Sequence, residues 1–249
     1  LPSARAIRLA ARDAGLEPTD MLGTETVARL LGLRFNHPTG SEQLERGPEV
    51  PASRAEAAYS LAKLRVLDTG RTAYIGSLIA RFSVPVLTTW QRSVLARGLR
   101  FVGYPYVFAG SSEKSQKIWS ATTPGNLLAV PGGFDCSGFV WRVFKLQPFD
   151  GAPLLATVLR GRTSYAMSGE VARGRRVAGT SLQPGDLVFF GSRGPKSTPS
   201  EVGHMGIYVG NNWFVHSSGG GVTLQPLEGW YAQTLAWGRR PLAEAGLVA

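Results

Sequence analysis

Apolar side chains recur at three- and four-residue spacing along residues 1–85 and alternate after Arg175, so the chain reads as helices first and strands afterwards. Ala6, Ile7, Leu9 and Ala10 form one short helical stripe that ends near Gly15. A second helix is expected from Thr24 as its cap, with Glu25 in the first turn, through Val27, Leu30 and Leu31 to Gly32. The segment 37–51 is rich in Pro, Gly and charge and predicts a loop. Ser53 and Glu56 predict a capping box for a third helix, with Ala57, Leu61 and Leu64 as its apolar positions. Residues 71–82 predict a fourth.

The character changes after Pro85. Residues 90–99 predict a helix with Val94, Leu95 and Leu99 as its seam, followed by an aromatic-rich turn over 103–110. Residues 111–133 are polar and punctuated by Gly and Pro, and predict an irregular insertion. A helix from Cys136 to about Leu146 places Cys136, Phe139, Val140 and Val143 on one face. Strands are expected at 187–190, 205–209, 213–216 and 222–224. The fold class is therefore α+β with an antiparallel sheet, divided into a helical region, 1–85, and a second domain, 86–249.

Composition narrows the partners. The chain has 249 residues, is 43% apolar and carries six Trp, seven Tyr and eleven Phe, enough to bury a core in one domain or two. Lys and Arg outnumber Asp and Glu 27 to 17, a net charge of +10. The basic residues are scattered and mostly Arg, with no block that would act as a nucleic-acid arm. A diffuse positive field suits an anionic polymer. No apolar run approaches the roughly 20 residues of a membrane span. The chain begins Leu1-Pro2 with no basic-then-apolar leader, so it is expected to be a mature or trimmed chain.

The single cysteine, Cys136, cannot form an internal disulfide. It is either a buried structural thiol or a reactive one, and its place at a helix start favours a thiolate. A thiol nucleophile needs a base and a group to orient that base. Of three histidines, His37 precedes a proline in the first loop and reads as a surface residue, whereas His204 begins one strand and His216 ends the next. A two-residue turn at Asn211-Asn212 would pair Gly210 with Trp213 and Ile207 with His216, putting the two histidines on opposite faces. Their cooperation therefore requires a bulge or an odd-length loop near Gly210. One Cys and two His would also make three zinc ligands, but Cys136 has no close-spaced second ligand, so neither metal nor cofactor is expected.

Six blocks occur in order: Tyr104-Pro105-Tyr106-Val107-Phe108-Ala109-Gly110, Gly133-Phe134-Asp135-Cys136-Ser137-Gly138-Phe139-Val140, Gly161-Arg162-Thr163-Ser164-Tyr165, the run from Leu182 through Pro184-Gly185-Asp186 to Phe190, the run from Val202 to Gly210, and Phe214-Val215-His216-Ser217. Together they resemble the NlpC/p60 cell-wall cysteine peptidases over residues 86–240. The resemblance implies a papain-like α+β fold and a secreted hydrolase acting in the cell wall on peptidoglycan stem peptides, at the bond from γ-D-glutamate to the diamino acid. It implies Cys136 as nucleophile, His204 as base, His216 as its orienter, and Tyr106 as an oxyanion donor beside the Cys136 N–H. It assigns Asp135, Ser137 and Ser164 to stem-peptide recognition. Asp135 also suits a helix N-cap, Tyr106 a packing aromatic, and Pro184-Gly185-Asp186 a structural turn.

The chain departs from the family pattern at Ala109, where a glycine is usual, and in the longer 111–132 stretch. The segments 24–31 and 53–59 echo each other and resemble helices of S-layer-homology wall-anchoring repeats, although a plain helical packing or prodomain-like segment accounts for them equally. The alternatives to an endopeptidase are a wall-binding protein with weak or no catalysis, and a papain-like amidase or acyltransferase.

Overall fold

The computed structural model describes residues 2–34, 45–119 and 125–247. The expected surface position of His37 lies outside them. Helices come first: α1 (Pro2–Asp13), α2 (Leu22–Leu30), α3 (Arg54–Arg65), α4 (Thr69–Ala80) and α5 (Thr89–Leu99). Short strands β1 (Ser111–Ser112), β2 (Gln116–Trp119), β3 (Leu127–Val130) and β4 (Gly133–Phe134) lead into α6 (Cys136–Phe144), α7 (Leu155–Val158) and α8 (Ser164–Gly169). Then come β5 (Leu187–Gly191), β6 (Val202–Gly210), β7 (Trp213–Ser218), β8 (Gly221–Pro226), α9 (Trp230–Thr234), β9 (Leu235–Arg239) and α10 (Pro241–Glu244). The last five strands form one antiparallel sheet in the order β8-β7-β6-β5-β9. This is the α+β arrangement expected of a papain-like fold.

Local signals held where the bonds are local. Ser53 and Glu56 close the capping box of α3, with Ser53 N–H donating to Glu56 Oε2 at 2.7 Å. Asp68 caps α4 and Thr88 caps α5. Elsewhere tertiary packing overrode the pattern. In α1 the buried face is Ala4, Ile7 and Ala11, while Leu9 is 43% exposed. α2 begins at Leu22, before the expected Thr24 cap, and Gly23, against the Ala4 backbone, lets α1 and α2 cross closely. The apolar stripe expected to pack α3 faces solvent, with Leu61 63% and Leu64 50% exposed.

The 111–133 stretch, expected to be irregular, is an ordered insertion in its described part. β2 and β3 pair in register from Gln116 opposite Val130 to Trp119 opposite Leu127, and Ile118 and Val130 bury against Val107. Glu113 pins its base to α6 through a two-point bond with Arg142, at 2.6 and 2.8 Å, and that bond holds the Glu113 carboxyl down at about 2.

One apolar cluster runs from Ile7 and Leu22 through Leu95, Phe101 and Phe139 to Ile207 and Trp237, so residues on both sides of position 85 share a core. A buried ionic group seals that contact. Arg29 pairs with Glu25 at 3.3 Å and Glu45 at 3.2 Å, donates to the Gly103 carbonyl at 2.6 Å and also donates to the Gly220 carbonyl. Gly103 and Gly221 leave the space that Glu25 and Arg29 fill.

Candidate active site

Cys136 opens α6, delivered by a loop whose backbone bonds tie it to the tyrosine block. Phe134 N–H donates to Pro105 O at 3.1 Å, Val107 N–H to Phe134 O at 3.2 Å, and Asp135 N–H to Gly110 O at 3.1 Å. Tyr106 bridges Phe134 in parallel and is thereby held beside the segment that enters the helix. The Ser217 hydroxyl, next to His216, donates to the Phe134 carbonyl at 2.6 Å and joins β7 to the same loop.

The hairpin bearing the histidines resolves the register problem with a bulge. Asn211 and Asn212 both take positive φ, 48° and 62°, as a two-residue turn requires, and Gly210 does pair with Trp213. Tyr208 pairs with Phe214 and Ile207 with Val215, so Val209 is an extra residue in β6. His216 thereby moves to the face of His204, and His204 Nε2 lies 2.8 Å from His216 Nδ1. Opposite His216 stands Gly206, where a Cβ would lie 3.0 Å from that of His216.

Burial governs the protonation of these groups. It pushes the Cys136 thiol up to about 11, and the Asp135 charge adds to it, against the Ser137 and Met205 backbone N–H groups and the Arg162 charge. The helix start was expected to favour a thiolate; here desolvation outweighs the amide N–H groups. Burial brings His204 down to about 4, and burial followed by the neighbouring His204 brings His216 well below its usual value. All three shifts favour the uncharged forms, a neutral thiol beside neutral imidazoles, although Cys136 and His204 each keep some solvent exposure. The Met205 N–H that faces the sulfur belongs to the residue after His204, which puts the thiol against the same stretch of β6.

The three residues assigned to stem recognition are almost buried. Asp135 is the N-cap of α6, accepting the Gly138 N–H at 2.5 Å. Ser137 donates to Asp135 Oδ1 at 3.1 Å, and Ser164 donates to the Val202 carbonyl at 3.2 Å. Arg162, which the third sequence block contains without an assigned role, organises this group. It donates to Ser137 Oγ at 2.8 Å, to Asp135 Oδ1 at 3.2 Å and to the Ala109 carbonyl at 3.2 Å. Its place in the Gly161-Arg162-Thr163-Ser164 block was the available signal. Ala109 itself takes φ 61°, the left-handed conformation that suits the glycine usual there. Asp186 is buried against Arg240 and accepts the Gln183 N–H at 2.9 Å, as the structural reading of its turn expects. No group of three or more His, Cys, Asp or Glu side chains placed to hold a metal occurs among the described residues.

The NlpC/P60 family model matches residues 103–240, more than half of the chain. The probable peptidoglycan endopeptidase LytE of Bacillus subtilis is 39% identical over 113 residues, 45% of this chain and 26% of LytE. The murein DD-endopeptidase MepS/murein LD-carboxypeptidase of Escherichia coli is 40% identical over 88 residues, 34% of this chain and 37% of its own. The chain thus spans well under half the length of these relatives. Among solved structures, RipD of Mycobacterium tuberculosis, described as a non-catalytic NlpC/p60 domain protein adapted to peptidoglycan binding, aligns with a TM-score of 0.42 and 20% identity over 62% of this chain and 98% of that one. The match of the family model over the stretch that carries Tyr106, Cys136, His204 and His216 shows that this chain belongs to the NlpC/P60 family.

Proposed function

We propose that this chain is a cysteine endopeptidase that cuts peptidoglycan stem peptides outside the cytoplasm, at the bond from γ-D-glutamate to the diamino acid. The observation that carries this reading is the 2.8 Å contact between His204 Nε2 and His216 Nδ1. It engages His204 Nε2 and leaves Nδ1 as the nitrogen that an oriented base would use. In the reaction, His204 takes the Cys136 proton as sulfur adds to the peptide carbonyl carbon. The Cys136 N–H and Tyr106 receive the oxyanion. His204 returns the proton to the leaving amine, and water then hydrolyses the thioester with His204 again as base. Asp135, Ser137 and Ser164, with Arg162, form the recognition wall in this reading. The net charge of +10 supports retention on anionic wall polymers.

A second reading is favoured by the resting protonation. Burial raises the thiol and lowers His204, so a preformed ion pair is disfavoured, which suits a wall-binding protein with little or no catalysis. Incubating the chain and Cys136→Ala with purified peptidoglycan, and identifying soluble fragments by mass spectrometry, separates the two. Thiol-dependent release of fragments ending at γ-D-glutamate is expected. Co-sedimentation with the wall and no thiol-dependent release would leave the binding reading, and cleavage at the sugar–lactyl amide would make the chain an amidase.

A further inference from the structure

The histidine pair is closed over by a side chain outside the six sequence blocks. Tyr231, in α9, sets its ring 5.2 Å from that of His216 at 75°, and 6.1 Å from that of His204. It also meets Phe214 at 5.0 Å and Phe190 at 5.3 Å, both edge-to-face. The Ser218 side chain, two residues beyond His216, hydrogen-bonds its hydroxyl. Phe214 stacks on His216 at 4.6 Å and 30°. Within this cage His216 Nε2 is buried and has no hydrogen-bond partner among the described residues.

A buried ring nitrogen without an ordinary partner is better tolerated as N–H than as a lone pair beside an aromatic ring, whose face is its negative side; Phe214 lies along the imidazole at 30°, so Tyr231, crossing it at 75°, is the ring whose geometry suits an in-plane N–H. That places the His216 proton on Nε2 and leaves Nδ1 as acceptor. The 2.8 Å bond then has one sense, with His204 Nε2–H donating to His216 Nδ1. The lone pair left over is on His204 Nδ1, the nitrogen that must take the thiol proton.

We propose that Tyr231 is a positioning residue: its ring completes the cage that holds His216 as the Nε2–H tautomer and thereby makes His204 Nδ1 the base. The catalytic meaning rests on the Cys-His-His reading above; the tautomer assignment does not. Among the described residues, the ionisable groups that the printed contacts place against the pair are the two imidazoles themselves, Tyr231 from α9, and the Cys136 thiol that meets β6 at Met205. β5, β7 and β8 contribute Phe190, Phe214 and Thr223, none of them charged. Without the Tyr231 ring, water reaches His216 Nε2 and donates to it. The opposite arrangement then becomes available, in which His216 Nδ1–H donates to His204 Nε2 and His204 Nδ1 carries the proton and cannot act as base.

Long-range proton–nitrogen spectra of imidazole-15N-labelled protein test this directly, and a chain with three histidines is readily assigned. In the wild type and in Tyr231→Phe, both His204 and His216 are expected as Nε2–H tautomers at pH 7. In Tyr231→Ala, His216 is expected to show Nδ1–H, kcat to fall at least tenfold with KM within twofold, and the acid limb of the pH profile to move up by about one unit. Should Tyr231→Ala not fold, Tyr231→Leu keeps an apolar side chain over the pair without the π face and is read the same way. Unchanged tautomer signals in the folded variant overturn the proposal. A wild type that cuts no peptidoglycan overturns the peptidase reading alone, because the spectra still report the tautomers.

Discussion

His204 and His216 meet only because β6 carries one residue more than β7 opposite them, and Gly206 is what gives the His216 side chain its room. A Cβ at Gly206 would fall 2.8 Å from Phe214 Cδ2 and 2.8 Å from the Val215 carbonyl oxygen. Gly206→Ala is therefore expected to cost about 1–3 kcal/mol of stability, the usual range for overpacking. It is also expected to lower kcat/KM more than tenfold by displacing His216. Urea denaturation beside stem-peptide kinetics checks both, and a variant with wild-type values on each would show that the strand accommodates the methyl group without moving the histidine.

Fully buried His216 and partly buried His204 make stability depend on pH in one direction. Their folded-state pKa values lie below the ordinary 6.5, so the stabilisation is present above pH 6.5 and lost as pH falls through about 4. For His204 the shift corresponds to about 3 kcal/mol. The urea midpoint of the wild type should fall between pH 6.5 and 4 by more than that of His216→Phe, which leaves the cage apolar. Parallel curves would mean that the pair does not drive the loss.

The neutral thiol predicts a particular reactivity. Alkylation of Cys136 by iodoacetamide should keep accelerating with pH beyond 9, toward the value of about 11 to which burial pushes it. A rate that levels off below pH 8 would instead reveal a thiolate–imidazolium pair already formed at rest.

Arg29 is expected to matter far more than a surface arginine. Arg29→Met leaves Glu25 and Glu45 buried without it and strips the Gly103 and Gly220 carbonyls of their donor. A loss of about 3–5 kcal/mol is expected, typical of removing one side of a buried pair. We propose on the same ground that residues 1–85 brace the loop leading to Tyr106. A chain beginning at residue 86 should aggregate or lose its cooperative thermal transition, and a sharp transition at the full-length temperature would argue for an independent domain.

Ala109 offers the opposite change. It is held at φ 61° in an exposed turn, a conformation that costs an L-residue roughly 1–2 kcal/mol. Ala109→Gly removes that strain and adds some unfolded-chain freedom, for a net gain of about 1 kcal/mol. Thermal and urea unfolding would register it as a raised midpoint; a lowered one would show that the methyl group contributes packing that outweighs the strain.

The amino-acid sequence by itself determined whatever depends on near neighbours: the Ser53–Glu56 capping box, the α6 face from Cys136 to Val143, the Asn211-Asn212 turn, and the need for an irregularity beside it. Those features are set by bonds three or four residues long or by the pleat of one strand. β9 is not legible in the sequence because Arg239, which looks like a solvent-facing charge there, is buried between Glu170 and Glu244. The exposed stripe of α3 went wrong for the same reason, since periodicity names a face but not what covers it. Only the tertiary structure decided that Val209 bulges, that Arg162 joins Asp135 to Ser137 from 27 residues away, and that Tyr231 lies on the histidine pair. It also set the charge states at the site, because desolvation depends on everything packed around a group and outweighed the helix-start effect that Cys136 alone suggested.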